Sequence, residues 1–85
     1  MWCRILYFAR LRETFGCVEE RVELPAETRD VAALLTWLSQ RGELWASELA
    51  PGRQFRVAVN QEMATLDTAI PVGAEVAIFP PVTGG

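Results

Sequence analysis

The chain has 85 residues, 51% of them hydrophobic, a formal net charge of −3 and no histidine. That length accommodates one domain, and the apolar content excludes disorder. The acidic balance argues against nucleic acid, whose phosphates call for a basic surface, and no apolar run approaches the ~20 residues of a membrane span.

Residues 3–8 (Cys-Arg-Ile-Leu-Tyr-Phe) are rich in β-branched and aromatic types and read as a strand. Arg4 inside this short apolar run is unlike a secretory signal, so a cytoplasmic location is expected. Residues 9–15 follow as a short helix, with Leu11 and Phe15 one turn apart and Gly16 placed just past its end. Residues 19–24 alternate: Val22 and Leu24 share one face, while Glu19, Arg21 and Glu23 share a wet one, and Pro25 ends the strand.

The spacing predicts the main helix over 29–40, with Thr28 as N-cap and Asp30 in the first turn, where the helix dipole favours a negative charge. Val31, Leu34, Leu35 and Leu38 form an apolar stripe suited to a sheet. Gly42 stops this helix, and residues 43–49 add a helical turn. Pro51-Gly52 is a turn. Residues 56–59 form a strand, Asn60-Gln61 a tight turn, and residues 63–66 a short returning strand. After a turn at Pro71-Val72-Gly73, residues 75–79 form the last strand.

This order gives an α+β architecture, a mixed sheet of about five strands with one main amphipathic helix across it. The apolar first and last strands are the expected central pair. In the first, Cys3, Ile5 and Tyr7 oppose Arg4, Leu6 and Phe8; in the last, Val76 and Ile78 oppose Glu75, Ala77 and Phe79. The parity that contains a charge faces water. Phe8 and Phe79 are therefore expected close together on the face opposite the helix, as a docking surface.

Cys3 and Cys17 lack C-x-x-C spacing, and no histidine completes a zinc site. Cys3 reads as a core residue and Cys17 as a free loop thiol, with no disulfide between them in a reducing compartment. All eight basic residues are arginine, so no side-chain amine is present to attack an activated C-terminus.

The closing stretch is Phe79-Pro80-Pro81-Val82-Thr83-Gly84-Gly85. Pro80 and Pro81 fix φ and remove two N–H groups, so strand pairing stops and the chain runs extended. Gly84 and Gly85 lack Cβ atoms and can enter a passage too narrow for side chains. Residues 80–85 reach on the order of 20 Å. The chain divides into a domain over 1–79 and an extended Gly-Gly tail over 80–85.

With Tyr7-Phe8-Ala9, Leu11-Arg12-Glu13 and Gly16 at the start, Ala58-Val59-Asn60-Gln61 in the middle, and the run from Gly73 through Phe-Pro-Pro-Val-Thr-Gly-Gly at the end, the chain resembles the small subunits of molybdopterin synthase. These are ubiquitin-like sulfur carriers of molybdenum cofactor biosynthesis. One departure is Ala74, where that family commonly has Asp. The resemblance implies a β-grasp fold. It implies that a ubiquitin-activating-type adenylyltransferase uses ATP to adenylate the carboxylate of Gly85, that a sulfur donor converts it to a thiocarboxylate, and that Gly84 admits it to the partner's site. It further implies a heterotetramer with the synthase large subunit, where the sulfur builds the dithiolene from cyclic pyranopterin monophosphate. Phe8, Met63, Phe79, Pro80, Pro81, Val82 and Thr83 become partner-binding residues. No cofactor is bound and no metal is held; the chain is a non-catalytic, sulfur-donating subunit. A thiamin-type sulfur carrier and a ubiquitin-like protein modifier share the Gly-Gly ending and stay open as alternatives.

Overall fold

The computed structural model describes residues 1–50 and 55–80. The chain runs β1 (Trp2–Tyr7), α1 (Ala9–Phe15), β2 (Glu19–Glu23), α2 (Val31–Ser39), α3 (Glu43–Glu48), β3 (Arg56–Val59), β4 (Glu62–Met63) and β5 (Glu75–Phe79). The strands form one sheet in the order β2-β1-β5-β3-β4. β1 and β5 are the parallel central pair, and every other pairing is antiparallel. The expected mixed five-stranded sheet and its central pair are both present.

Alternation sorts the side chains as the sequence requires. Cys3, Ile5, Tyr7, Val76 and Ile78 are buried on the inner face, where the stripe of Val31, Leu34, Leu35 and Leu38 covers them. Each large aliphatic side chain withdrawn from water contributes on the order of 1.5–3 kcal/mol, so this contact between α2 and the sheet is the main source of stability. Gly16 ends α1 with φ 64°, a left-handed conformation that lets its N–H reach the Arg12 carbonyl.

Element boundaries differ from the sequence reading: β1 spans Trp2–Tyr7 and not residues 3–8, β2 ends at Glu23 and α3 at Glu48, each one residue early, and three larger differences follow. The main helix begins at Val31, not at residue 29, and its N-cap is Asp30, not Thr28: Asp30 Oδ1 accepts from Ala33 N at 2.8 Å. The cause is tertiary. Residues 29–32 are tied to a later segment through Ile70 N to Arg29 O at 2.8 Å, Val31 N to Thr68 O at 3.1 Å and Ala32 N to Leu66 O at 2.8 Å. Extended backbone at Asp30 pairs with Ala69, so helical dihedrals cannot start sooner. The helix ends at Ser39 with Gln40 as C-cap, and Gly42 instead opens α3. The returning strand is only Glu62–Met63, because Thr65 N bonds Thr68 Oγ1 at 2.9 Å and Thr68 N bonds Thr65 O at 3.1 Å, which coils the chain locally.

The Asn60-Gln61 turn is as expected, with φ 50° and 70°. Two consecutive positive φ values match the twist of a two-residue hairpin. Asn60 also clasps the start of β5: its N–H donates to Glu75 O at 2.8 Å, and its Oδ1 accepts from Glu75 N at 3.0 Å. The Pro51-Gly52 turn lies outside the described residues.

Candidate functional site

The outer face of the sheet, opposite α2, reads as rows set by strand register. One row runs Leu6, Ala77, Ala58, Met63 across β1, β5, β3 and β4. The next row toward the end of β5 places Phe79 opposite Arg56 on β3. Phe8 lies just beyond β1 and keeps the ladder going, its N–H donating to Ile78 O at 3.2 Å. Its backbone is still extended (φ −124°, ψ 153°) before the chain turns sharply at Ala9, φ 52°, into α1. That corner leaves the ring on the outer face.

Phe8 and Phe79 meet edge to face with ring centroids 6.2 Å apart and planes at 85°. Such a pair adds about 0.5–1.5 kcal/mol beyond the area it covers. Phe8 nevertheless keeps 41% of its surface exposed and Met63 59%. The two rings and Met63 therefore stand on one apolar face, bridged by the short side chains of Ala77 and Ala58. The structure thus brings together Phe8, Phe79 and Met63, with Pro80 half-buried at the end of β5. Pro81, Val82, Thr83, Gly84 and Gly85 lie outside the described residues.

Away from Arg56, the charges of the outer face are paired with one another or with an aromatic ring. Arg4 reaches Glu19 at 3.5 Å and Glu75 at 3.2 Å. Arg21 reaches Glu23 at 3.5 Å and lies 4.1 Å over the Trp2 ring. Leu6, Ala58 and Ala77 were not picked out as part of the site from the sequence. The signal was available in their parity, because each shares the outward face with a residue that was.

Neither thiol is poised for nucleophilic work. Burial pushes the Cys3 thiol up to about 11. Cys17 is raised as well, first by desolvation and then by the negative charge of Glu20. A reactive cysteine needs the opposite shift. Among the described residues no group of three or more His, Cys, Asp or Glu side chains could hold a metal ion, and no helix is long and apolar enough to cross a membrane. What the arrangement offers is a partly exposed apolar face beside β5, the strand that leads into residues 80–85.

The family model named ThiS family matches residues 5–85. The chain is 38% identical to the molybdopterin synthase sulfur carrier subunit of Haemophilus influenzae over 81 residues, covering 95% of this chain and 96% of that one. It is also 38% identical to the subunit of the same name from Escherichia coli over 82 residues, covering 96% and 98%. Among solved structures it is similar to SAMP1, a small archaeal modifier protein, of Haloferax volcanii, with a TM-score of 0.83, 29% identity and full coverage of both chains. The sheet order and the single covering helix are accordingly those of a ubiquitin-like β-grasp domain. The chain belongs to the ThiS family, among relatives that are molybdopterin synthase sulfur carrier subunits.

Proposed function

We propose that this chain carries sulfur on its C-terminus for the synthesis of molybdopterin. A carboxylate at neutral pH is both a poor nucleophile and a poor electrophile. A ubiquitin-activating-type adenylyltransferase joins the Gly85 carboxylate to AMP from ATP, releasing pyrophosphate. A sulfur donor then displaces AMP and leaves a thiocarboxylate. Its sulfur ionises readily and attacks carbon well. The synthase large subunit docks on Phe8, Phe79 and Met63, draws in residues 80–85, and uses the sulfur to build the dithiolene from cyclic pyranopterin monophosphate. Gly84 and Gly85 supply the slim tip that this passage needs. The domain itself acts as a rigid handle, and the catalytic groups belong to the partners.

The observation that carries this reading is the edge-to-face pair of exposed Phe8 and half-buried Phe79 at the end of β5, the strand that leads into the tail. The kinship with sulfur carrier subunits supports the chemistry. The test is mass spectrometry of the isolated C-terminal peptide after incubation with the adenylyltransferase, ATP and a sulfur donor. One oxygen should be replaced by sulfur at Gly85, and the new group should react with a thiol-directed alkylating reagent. Methionine oxidation gives nearly the same mass change, which is why the tail peptide is isolated. Modification at Cys3, Cys17 or a methionine instead, or molybdopterin formation by a chain lacking Gly85, would reject the assignment.

The likeness to a small archaeal modifier favours a second reading, transfer of the activated C-terminus to lysines of other proteins. Covalent adducts of this chain on target lysines, recovered after incubation with the activating enzyme and ATP, would establish it.

A further inference from the structure

Three arginines occupy the outer face of the sheet among the described residues: Arg4, Arg21 and Arg56. The first two have partners within the chain. Arg4 bridges Glu19 and Glu75, and Arg21 lies between Glu23 and the Trp2 ring. Arg56 differs. It is exposed, it sits in register opposite Phe79, and no carboxylate of the described residues comes within ion-pairing distance of it. With Met63 and Leu66 it also rims a groove of about 230 Å³ that reaches down to Val31 and Leu35. A positive charge with no carboxylate partner among the described residues thus flanks the apolar patch in a chain of net charge −3.

We propose that Arg56 is a specificity-determining contact of the docking face, receiving a carboxylate that the large subunit presents beside the apolar side chains covering Phe79 and Met63. This rests on the reading of that face as the large-subunit docking surface. The physical argument is one of complementarity. A partner that covers Phe79 strips water from the neighbouring guanidinium, and an uncompensated desolvated charge is costly. A carboxylate opposite it removes that cost. The planar guanidinium matches a carboxylate with two parallel N–H···O bonds, and its aliphatic stem extends the apolar contact. A partner offering a cation or a bare apolar surface at this point is disfavoured, which is how a single charge discriminates between partners. The other charges of the face are already matched to one another, so the selective element falls to Arg56.

The test measures association of the purified large subunit with the wild-type chain, Arg56→Gln, Arg56→Glu and Phe79→Arg, at low and high salt, with circular dichroism confirming the fold of each. At low salt Arg56→Glu should slow association about tenfold and Arg56→Gln about threefold, since steering charges change on-rates by factors of ~10 or more. At 1 M salt, where screening reaches ~3 Å, the on-rates of the wild-type chain and the two Arg56 variants should agree to within about twofold, while the faster dissociation of the variants persists, because a desolvated pair is screened far less. Replacing one acidic residue of the large subunit with Arg should restore fast association to Arg56→Glu alone. Unchanged association of Arg56→Glu while Phe79→Arg loses binding overturns the inference and leaves the docking face standing. A slowing of association by Arg56→Glu that is independent of salt, or faster association, also overturns it. Full binding by Phe79→Arg rejects the docking face itself. Sedimentation of the isolated chain should show a monomer; a dimer that Arg56→Glu dissociates would mean that Arg56 faces a second copy of this chain, against the proposal.

Discussion

The hydroxyl of Tyr7 donates to Glu20 Oε2 at 2.7 Å across the inner face of the sheet. Arg41 closes on the same carboxylate with bonds of 2.7 and 3.0 Å to its two oxygens. The guanidinium in turn lies 4.5 Å from the Trp45 ring, which stacks on Phe15 at 3.7 Å. One carboxylate therefore ties β2 to β1 and to the segment between α2 and α3.

Burial by itself raises the pKa of Glu20, but the hydrogen bonds from Arg41 and Tyr7 outweigh it and hold the carboxyl below the ordinary range. A folded-state value below the unfolded one stabilises the fold fully above the unfolded value of ~4.3, and that contribution disappears as pH falls through the folded value. The urea midpoint of the wild-type chain should fall on acidification below about pH 5 more steeply than that of Glu20→Gln. Tyr7→Phe, which leaves the Arg41 bonds in place, should cost about 1 kcal/mol. Tyr7 is the only tyrosine, and burial followed by the Glu20 contact pushes its ionisation well above the usual range. Phenolate absorbance should therefore appear only as alkali unfolds the chain.

Asp30 caps α2, so Asp30→Ala should destabilise the domain by about 1 kcal/mol in urea unfolding. Asp30→Asn should lose far less, because the amide oxygen still accepts from Ala33 N. An equal loss in both would place the effect in the charge and not in the cap.

Gly73 and Gly16 separate two costs. Both have left-handed backbones, φ 77° and 64°. A Cβ at Gly16 meets nothing within 4 Å, whereas one at Gly73 lies 3.2 Å from the Trp2 ring. Gly16→Ala should cost about 1–2 kcal/mol for backbone alone, and Gly73→Ala measurably more, since Trp2 must also shift. Thermal unfolding of the two variants side by side measures the difference.

Phe79→Arg should weaken binding of the large subunit and of the adenylyltransferase while leaving the circular dichroism spectrum unchanged. Hot-spot aromatics commonly carry 2 kcal/mol or more, so a loss of about thirtyfold or greater in calorimetric affinity is expected. Unchanged affinity in a folded variant would remove the ring from the interface.

Alternation in residues 3–8 and 75–79 by itself determined which side chains face α2 and which face water, because a period of two is a property of the strand backbone. It thereby placed Phe8 and Phe79 on one face, and the stripe from Val31 to Leu38 named what covers the other. The closing Phe-Pro-Pro-Val-Thr-Gly-Gly carried the family. Parity also put Glu20 on the inward side with Val22 and Leu24, a charge that had to find a partner. Only the tertiary structure decided that the partner is Arg41, 21 residues away, because pairing across such a separation depends on where helices end, which local preference does not set. The same holds for the late start of α2, fixed by hydrogen bonds between residues 29–32 and 66–70. It holds for Arg56 too: strand register against β5, not its neighbours in sequence, sets that charge beside Phe79.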